Sequence, residues 1–161
     1  MSTNKNDYEH MLFYFAYKTF VTTADDIIEQ YGMSRQHHRF LFFINKLPGI
    51  TIKELLQTLE ISKQGSHATL RTLKEKELII EQISEQDRRV KQLFATEKGN
   101  ALINELNYAQ DHLLQTIQQK VGNNWYDIME ALANQRDGFK HIEHLKKTRL
   151  TYTFTNFPCC I

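Results

Sequence analysis

One stretch breaks the rhythm of this sequence. Leu78-Ile79-Ile80-Glu81-Gln82-Ile83 is rich in β-branched residues and ends in the polar run Ser84-Glu85-Gln86-Asp87; a second extended segment, Val90 to Ala95, returns from it. Two such segments around a polar tip predict a β-hairpin. Elsewhere apolar residues recur mostly at three- and four-residue steps, and only six Gly and two Pro interrupt 161 residues. So few breakers exclude a sandwich or barrel and leave long helices around one small hairpin.

The helices have readable ends. Tyr8, Met11, Leu12, Phe15, Ala24, Ile27, Ile28 and Tyr31 mark the apolar face of a first helix over 8–31, stopped by Gly32. Ser34 is placed to cap a second, with Leu41, Phe42 and Ile44 on its buried side and its end before Pro48-Gly49. Thr51 with Glu54 forms a capping box for a short third helix that buries Leu55, Leu56 and Leu59. After a break at Glu60-Ile61, Ser62 is expected to cap a fourth helix running to about Glu77, with Ser66, Leu70 and Leu73 inward.

Beyond the hairpin, Thr96-Glu97 opens a long helix carrying Leu102, Leu106, Ala109, Leu113, Ile117 and Val121. Gly122-Asn123-Asn124 breaks it. Trp125, Ile128, Met129, Leu132, Phe139, Ile142 and Leu145 predict a last helix, interrupted softly at Gly138.

Three helices and then a hairpin is the order of a winged helix-turn-helix. The expected fold class is mainly α with a small β-hairpin wing and a long helical dimerisation arm. The arm is assigned to 8–31 and 97–147, the DNA-binding lobe to 34–96, and a C-terminal tail to 148–161. Helices of roughly twenty-five residues span about 35 Å, too long to bury their apolar faces on so small a centre. Their most economical burial is against a second copy, which predicts a homodimer.

In a helix-turn-helix the second helix lies in the major groove and offers residues near its N-terminus to base edges. Here Lys63, Gln64, His67, Arg71 and Lys74 point outward, types that pair with guanine, adenine or phosphate. Ser62 at the expected cap suits a phosphate. An ordinary solvated face would carry similar residues. The hairpin tip decides between the two: Asp87-Arg88-Arg89, with Lys91 behind, presents guanidinium groups fit for the negative potential of a narrow minor groove.

Ile61-Ser62-Lys63-Gln64 through Leu73, then Leu78-Ile79, Asp87-Arg88-Arg89 and Leu93-Phe94-Ala95-Thr96-Glu97-Lys98-Gly99 resemble the MarR family of bacterial transcriptional regulators. The helix pattern is similar over about 8–147. The resemblance implies a dimeric winged-helix protein on palindromic operators, usually a repressor, released by a ligand bound between arm and lobe. It implies a wing salt bridge between Asp87 and Arg89, with Arg89 in the minor groove, and places Lys63, Gln64, His67 and Arg71 at base-contact positions. Three departures stand out. Ala68 occupies a position where many members carry Arg. Glu77 replaces the Gly that usually ends the recognition helix, which implies another cap geometry. The first helix has no Cys, so a thiol switch of the peroxide-sensing kind is not expected.

His38 reads first as a core histidine. With Tyr14, Tyr17 and Phe42 it also lies where the resemblance places an aromatic effector, so these four are the candidate ligand pocket. His141 and His144 stand three apart, a spacing that permits metal ligation, but surface roles are expected for the histidines other than His38. No metal or cofactor is expected.

Other classes are disfavoured. No G-x-S-x-G, H-E-x-x-H, phosphate-binding glycine loop or zinc-spaced cysteine set is present, so no enzyme is expected. The longest apolar run, Phe40 to Ile44, is far short of the ~20 residues a membrane span requires. The polar start lacks a signal core, which predicts a cytoplasmic protein. Cys159 and Cys160 are adjacent and cannot staple a fold. The net charge is only +1. That near-neutrality keeps a second reading open, a winged-helix module that binds another protein.

Overall fold

A computed structural model of the protein describes residues 5–122 and 124–142. In chain order the elements are α1 (Lys5–Gln30), α2 (Arg35–Lys46), β1 (Ile50–Thr51), α3 (Ile52–Leu59), α4 (Ser66–Glu75), β2 (Ile79–Ile83), β3 (Lys91–Ala95), α5 (Glu97–Val121) and α6 (Trp125–Ala133). Residues 137–142 form a further helical segment. The fold is a mainly helical winged helix-turn-helix, as the sequence predicts. His144, Leu145, the tail 148–161 and both cysteines lie outside the described residues.

The caps explain why the helices start where they do. Thr51 Oγ1 accepts from the Glu54 amide at 3.2 Å, and the Glu54 carboxylate accepts from the Thr51 amide at 2.8 Å, the reciprocal box its spacing predicts. At α2, His37 takes the part usually played by Glu, its Nδ1 accepting from the Ser34 amide at 3.1 Å. Thr96 Oγ1 accepts from the Gly99 amide at 3.0 Å and donates to the Glu77 carbonyl at 2.7 Å. One hydroxyl thus starts α5 and ties it to the end of α4.

The hairpin pairs antiparallel, with Glu81 opposite Leu93 and Ile83 opposite Lys91. A third strand, β1, adds to β3 through Ile50–Leu93 and Thr51–Gln92, giving the order β1-β3-β2. Two residues are too few to show a period, so the sequence does not announce this strand. The core gathers Phe40, Leu41 and Ile44 of α2 with Leu55, Leu70, Leu73, Ile79, Leu93, Ile103 and Leu106. On α2 the buried residues are His38, Phe40, Leu41 and Ile44, while Phe42 is half-buried. The expected single face is too narrow because α2 is central: α1, α3, α4, α5 and β3 all touch it. On α3, Leu55 and Thr58 are buried and Leu56 and Leu59 only partly so.

Three local expectations are corrected. Helix α4 begins at Ser66, not after Ser62: Lys63, Gln64 and Gly65 form a turn in which the Ser66 hydroxyl donates to the Lys63 carbonyl at 2.7 Å. Gly65 has φ 87°, a left-handed conformation that breaks helical continuity and that glycine adopts at least cost. Glu77 does not find another cap geometry. It takes the left-handed conformation itself (φ 59°), while the Leu78 amide donates to the Leu73 carbonyl at 2.9 Å. The break in the C-terminal helix falls at 134–136, not at Gly138. Gly138 lies on the helical turn beyond, where a Cβ would sit 2.2 Å from the Thr58 carbonyl oxygen. Its missing side chain serves a close approach to the end of α3.

Candidate nucleic-acid interface

Helix α4 buries Ser66, Thr69, Leu70 and Leu73. That three-and-four spacing leaves His67, Ala68 and Arg71 exposed on the opposite side. Arg71 Nε lies 3.8 Å from Glu75, one turn on, in an exposed pair of small energetic value. Ser62, Lys63 and Gln64 are exposed too, but on the turn before the helix rather than on its face. Ser62 therefore does not hold the cap position that would aim a helix N-terminus at a phosphate.

The wing tip is built from local backbone bonds. The Ser84 amide donates to the Val90 carbonyl and the Val90 amide to the Asp87 carbonyl, each at 2.9 Å. Asp87 Oδ1 accepts from the Arg89 amide at 3.0 Å and from Arg89 Nε at 3.2 Å. The Arg89 side chain is nonetheless 91% exposed. One carboxylate oxygen holds the root and the first guanidinium nitrogen, and the rest of the fork projects into solvent beyond the hairpin. Arg88 beside it is also exposed.

Lys74 and Lys91 have a different setting. Both ammonium groups bind the Glu81 carboxylate on β2, Lys74 by a hydrogen bond and Lys91 at 3.7 Å. The bond from Lys74 is the main reason the Glu81 carboxyl lies below the usual carboxylate range. These groups line a groove of about 560 Å³ between α4 and the base of the wing, together with His67 and Arg71. Sequence reasoning missed Glu81. The hairpin register contains the signal, since a residue opposite Leu93 shares a strand face with Lys91 two positions along.

A second missed carboxylate is Glu60, in the left-handed cap of α3 (φ 53°). It accepts from the Gly138 amide at 2.7 Å and from the Arg136 guanidinium, and the Gly138 bond chiefly holds its carboxyl below the ordinary value. The segment after α6 is thereby fastened to the helix-turn-helix.

The candidate pocket residues are spread between inside and outside. His38 is buried, and that burial pushes its imidazole below the usual value. Phe42 is half-buried edge-on to Phe43, with ring centroids 5.3 Å apart. Tyr14 and Tyr17 are exposed, Tyr14 meeting Phe15 edge-on at 5.1 Å. Asp25 binds Arg35 between α1 and α2. Two other histidines depart from the expected surface roles, since His37 and His141 are both half-buried. Among the described residues no three His, Cys, Asp or Glu side chains cluster as a metal site, and no helix is long and apolar enough to cross a membrane.

The family model described as the MarR family matches residues 31–90. The HTH-type transcriptional regulator PetP of Rhodobacter capsulatus is 39% identical over 97 residues, which cover 60% of this chain and 58% of PetP. The chain thus spans less than two thirds of that curated relative. Among solved structures, Staphylococcus aureus MepR in complex with DNA aligns with a TM-score of 0.61 at 22% identity, over 78% of this chain and 93% of that one. The transcriptional regulator SlyA aligns with a TM-score of 0.62 at 15% identity, over 93% and 99%.

Proposed function

We propose, from the premise that residues 31–90 are a MarR-family winged helix, that this protein is a sequence-specific DNA-binding transcriptional regulator. It acts as a homodimeric repressor on pseudo-palindromic operators. The observation that carries the reading is Arg89: an almost fully exposed guanidinium at the end of a ribbon, oriented by Asp87. Such a group gains most where potential is most negative, in a narrow minor groove. His67 and Arg71 on α4, with Lys63 and Gln64 on the preceding turn, then face the adjoining major groove. Arg88, Lys74 and Lys91 serve the phosphates.

The dimer is supported by the apolar side chains left uncovered among the described residues. Tyr8, Phe13, Phe15, Ile128 and Leu132 are all between 46% and 59% exposed. Large apolar side chains left exposed on α1 and α6 mark an interaction surface. In this reading 8–31 and 97–147 form the dimer arm and 34–96 the DNA-binding lobe. A small aromatic effector bound near Tyr14, Tyr17, His38 and Phe42 releases the operator, and His38→Phe removes the response.

The test is fluorescence anisotropy with duplex DNA from upstream of the protein's own gene, against a scrambled duplex, across a salt series. Binding through phosphates must weaken steeply as salt rises. Preference for the native duplex with a steep salt dependence is the expected result. No binding to either duplex at low salt overturns it in favour of a protein-binding winged helix.

A further inference from the structure

Lys74 and Lys91 are natural phosphate ligands by type and place, one on α4 and one at the base of the wing. Yet the carboxylate of Glu81 engages both, Lys74 by a hydrogen bond and the more exposed Lys91 (64%) by a looser contact at 3.7 Å. That carboxylate is three-quarters buried (22% exposed), and Lys74 is itself only partly exposed (36%). The pair is therefore screened less than the exposed ones at Arg71 and Arg89. Two cations and one anion present a net charge of about +1 to the groove instead of +2. We propose that Glu81 is a charge gate on DNA binding: it withholds Lys74, and more loosely Lys91, from phosphate until α4 is seated in the major groove.

The inference rests on the DNA-binding reading above. Its physical basis is competition between two anions for the same ammonium groups. A loosely held duplex meets the wing tip and the exposed turn before α4 first, where Arg88, Arg89 and Lys63 project into solvent. Lys74 lies two turns further along the helix than His67, against the hairpin, and reaches phosphate only when the duplex is drawn in close. Non-specific complexes leave Lys74 on Glu81, with Lys91 beside it. A seated complex presents phosphates near enough to replace the carboxylate. The gate thus weakens non-specific binding selectively and sharpens sequence discrimination. The hydrogen bond from Lys74 keeps the Glu81 carboxyl below its usual range, so the gate is charged at neutral pH.

The experiment has a DNA-independent arm and a DNA arm. In the first, acylation of the free protein by an amine-reactive ester is followed by peptide mass spectrometry. Lys74 is expected to react several-fold faster in Glu81→Gln than in wild type, with Lys63 unchanged as internal control. In the second, salt titrations are run on upstream and scrambled duplexes. Each additional phosphate neutralised steepens the log–log slope by about 0.9 and raises affinity about eightfold at 0.1 M salt. Glu81→Gln should steepen the scrambled-duplex slope by about 0.9 to 1.8 and leave the upstream-duplex slope unchanged. In a Lys74→Gln, Lys91→Gln background the same substitution should have no effect, whereas diffuse charge removal would persist there. Unchanged Lys74 acylation overturns the gate. Faster acylation with an unchanged scrambled-duplex slope overturns the gate alone, provided wild type still binds with steep salt dependence. Salt-insensitive binding by wild type overturns the DNA reading and the gate with it.

Discussion

The lobe and the arm of this molecule bury their apolar residues to opposite extents. In the lobe, Phe40, Leu55, Leu73 and Leu93 are all at 0% exposure. On α1, the side chains from Tyr8 to Thr19 are exposed, among them Phe13 at 57% and Phe15 at 59%. Helix α5 shows the change within one element. Leu102, Ile103 and Leu106 are buried against the lobe, whereas Ile117 and Val121 are 44% and 72% exposed. Among the described residues, the apolar core of the lobe is covered, and the apolar side chains of α1 from Tyr8 to Tyr17 and of the far end of α5 are not. The same hydrophobic driving force closes one core internally and, in the proposed dimer, requires a second chain for the other.

Substitutions that separate the two regions test this contrast. Phe40→Ala opens a cavity in the completed core and is expected to cost about 3–5 kcal/mol in chemical denaturation. Phe15→Ala removes a ring that one chain does not bury. It should change the lobe's unfolding little and instead weaken association in sedimentation velocity. A loss at Phe15 as large as at Phe40, in dilute monomer, would show that the arm is closed within one chain. Arg89→Ala should weaken operator binding and lower its log–log salt slope by about 1, the loss of one cation from the minor groove's negative potential, with thermal stability unchanged because the side chain is exposed. Equal operator affinity would remove the wing from the reading.

Smaller effects sharpen the comparison at the lobe's own seams. Glu77→Gly relieves a left-handed non-glycine residue between α4 and β2 and should raise stability by up to about 1 kcal/mol. The outcome against this is a loss, which would mean that the Glu77 contact with Lys98, 3.9 Å away, outweighs the strain. The smallest effect concerns pH. His38 has a folded value below its ordinary 6.5 because burial disfavours its charged form. The unfolded chain therefore binds more protons, and stability, full above 6.5, falls as pH drops from there through the depressed value. His38→Phe should flatten that part of the pH–stability curve, and a curve of unchanged slope would assign the dependence to His37 instead.

Features with short-range physics were legible. The capping box at Thr51 and Glu54, the stop at Gly32, the hairpin from Leu78 to Ala95 and the start of α5 at Thr96 each depend on residues a few positions apart, and each stands where the spacing predicts. The Asp87–Arg89 pair belongs to the same class. Ser62 misled because it has the composition of a cap, while Gly65 three residues later offered a competing left-handed turn. Gly138 misled for the opposite reason. It reads locally as a breaker, but its role is set by Thr58, eighty positions earlier in the chain.

Sequence alone determined the class of fold, the wing, the side of α4 that faces away from the core and the arginine at the tip, because periodicity and capping are local. Tertiary structure decided which cations are available. Lys74 and Lys91 look equivalent to Lys63 until the hairpin register brings Glu81 between them, and Glu60 looks like a surface residue until Arg136 and Gly138 close on it. Electrostatic pairing acts through space over a few ångströms, and those distances exist only once the chain has folded.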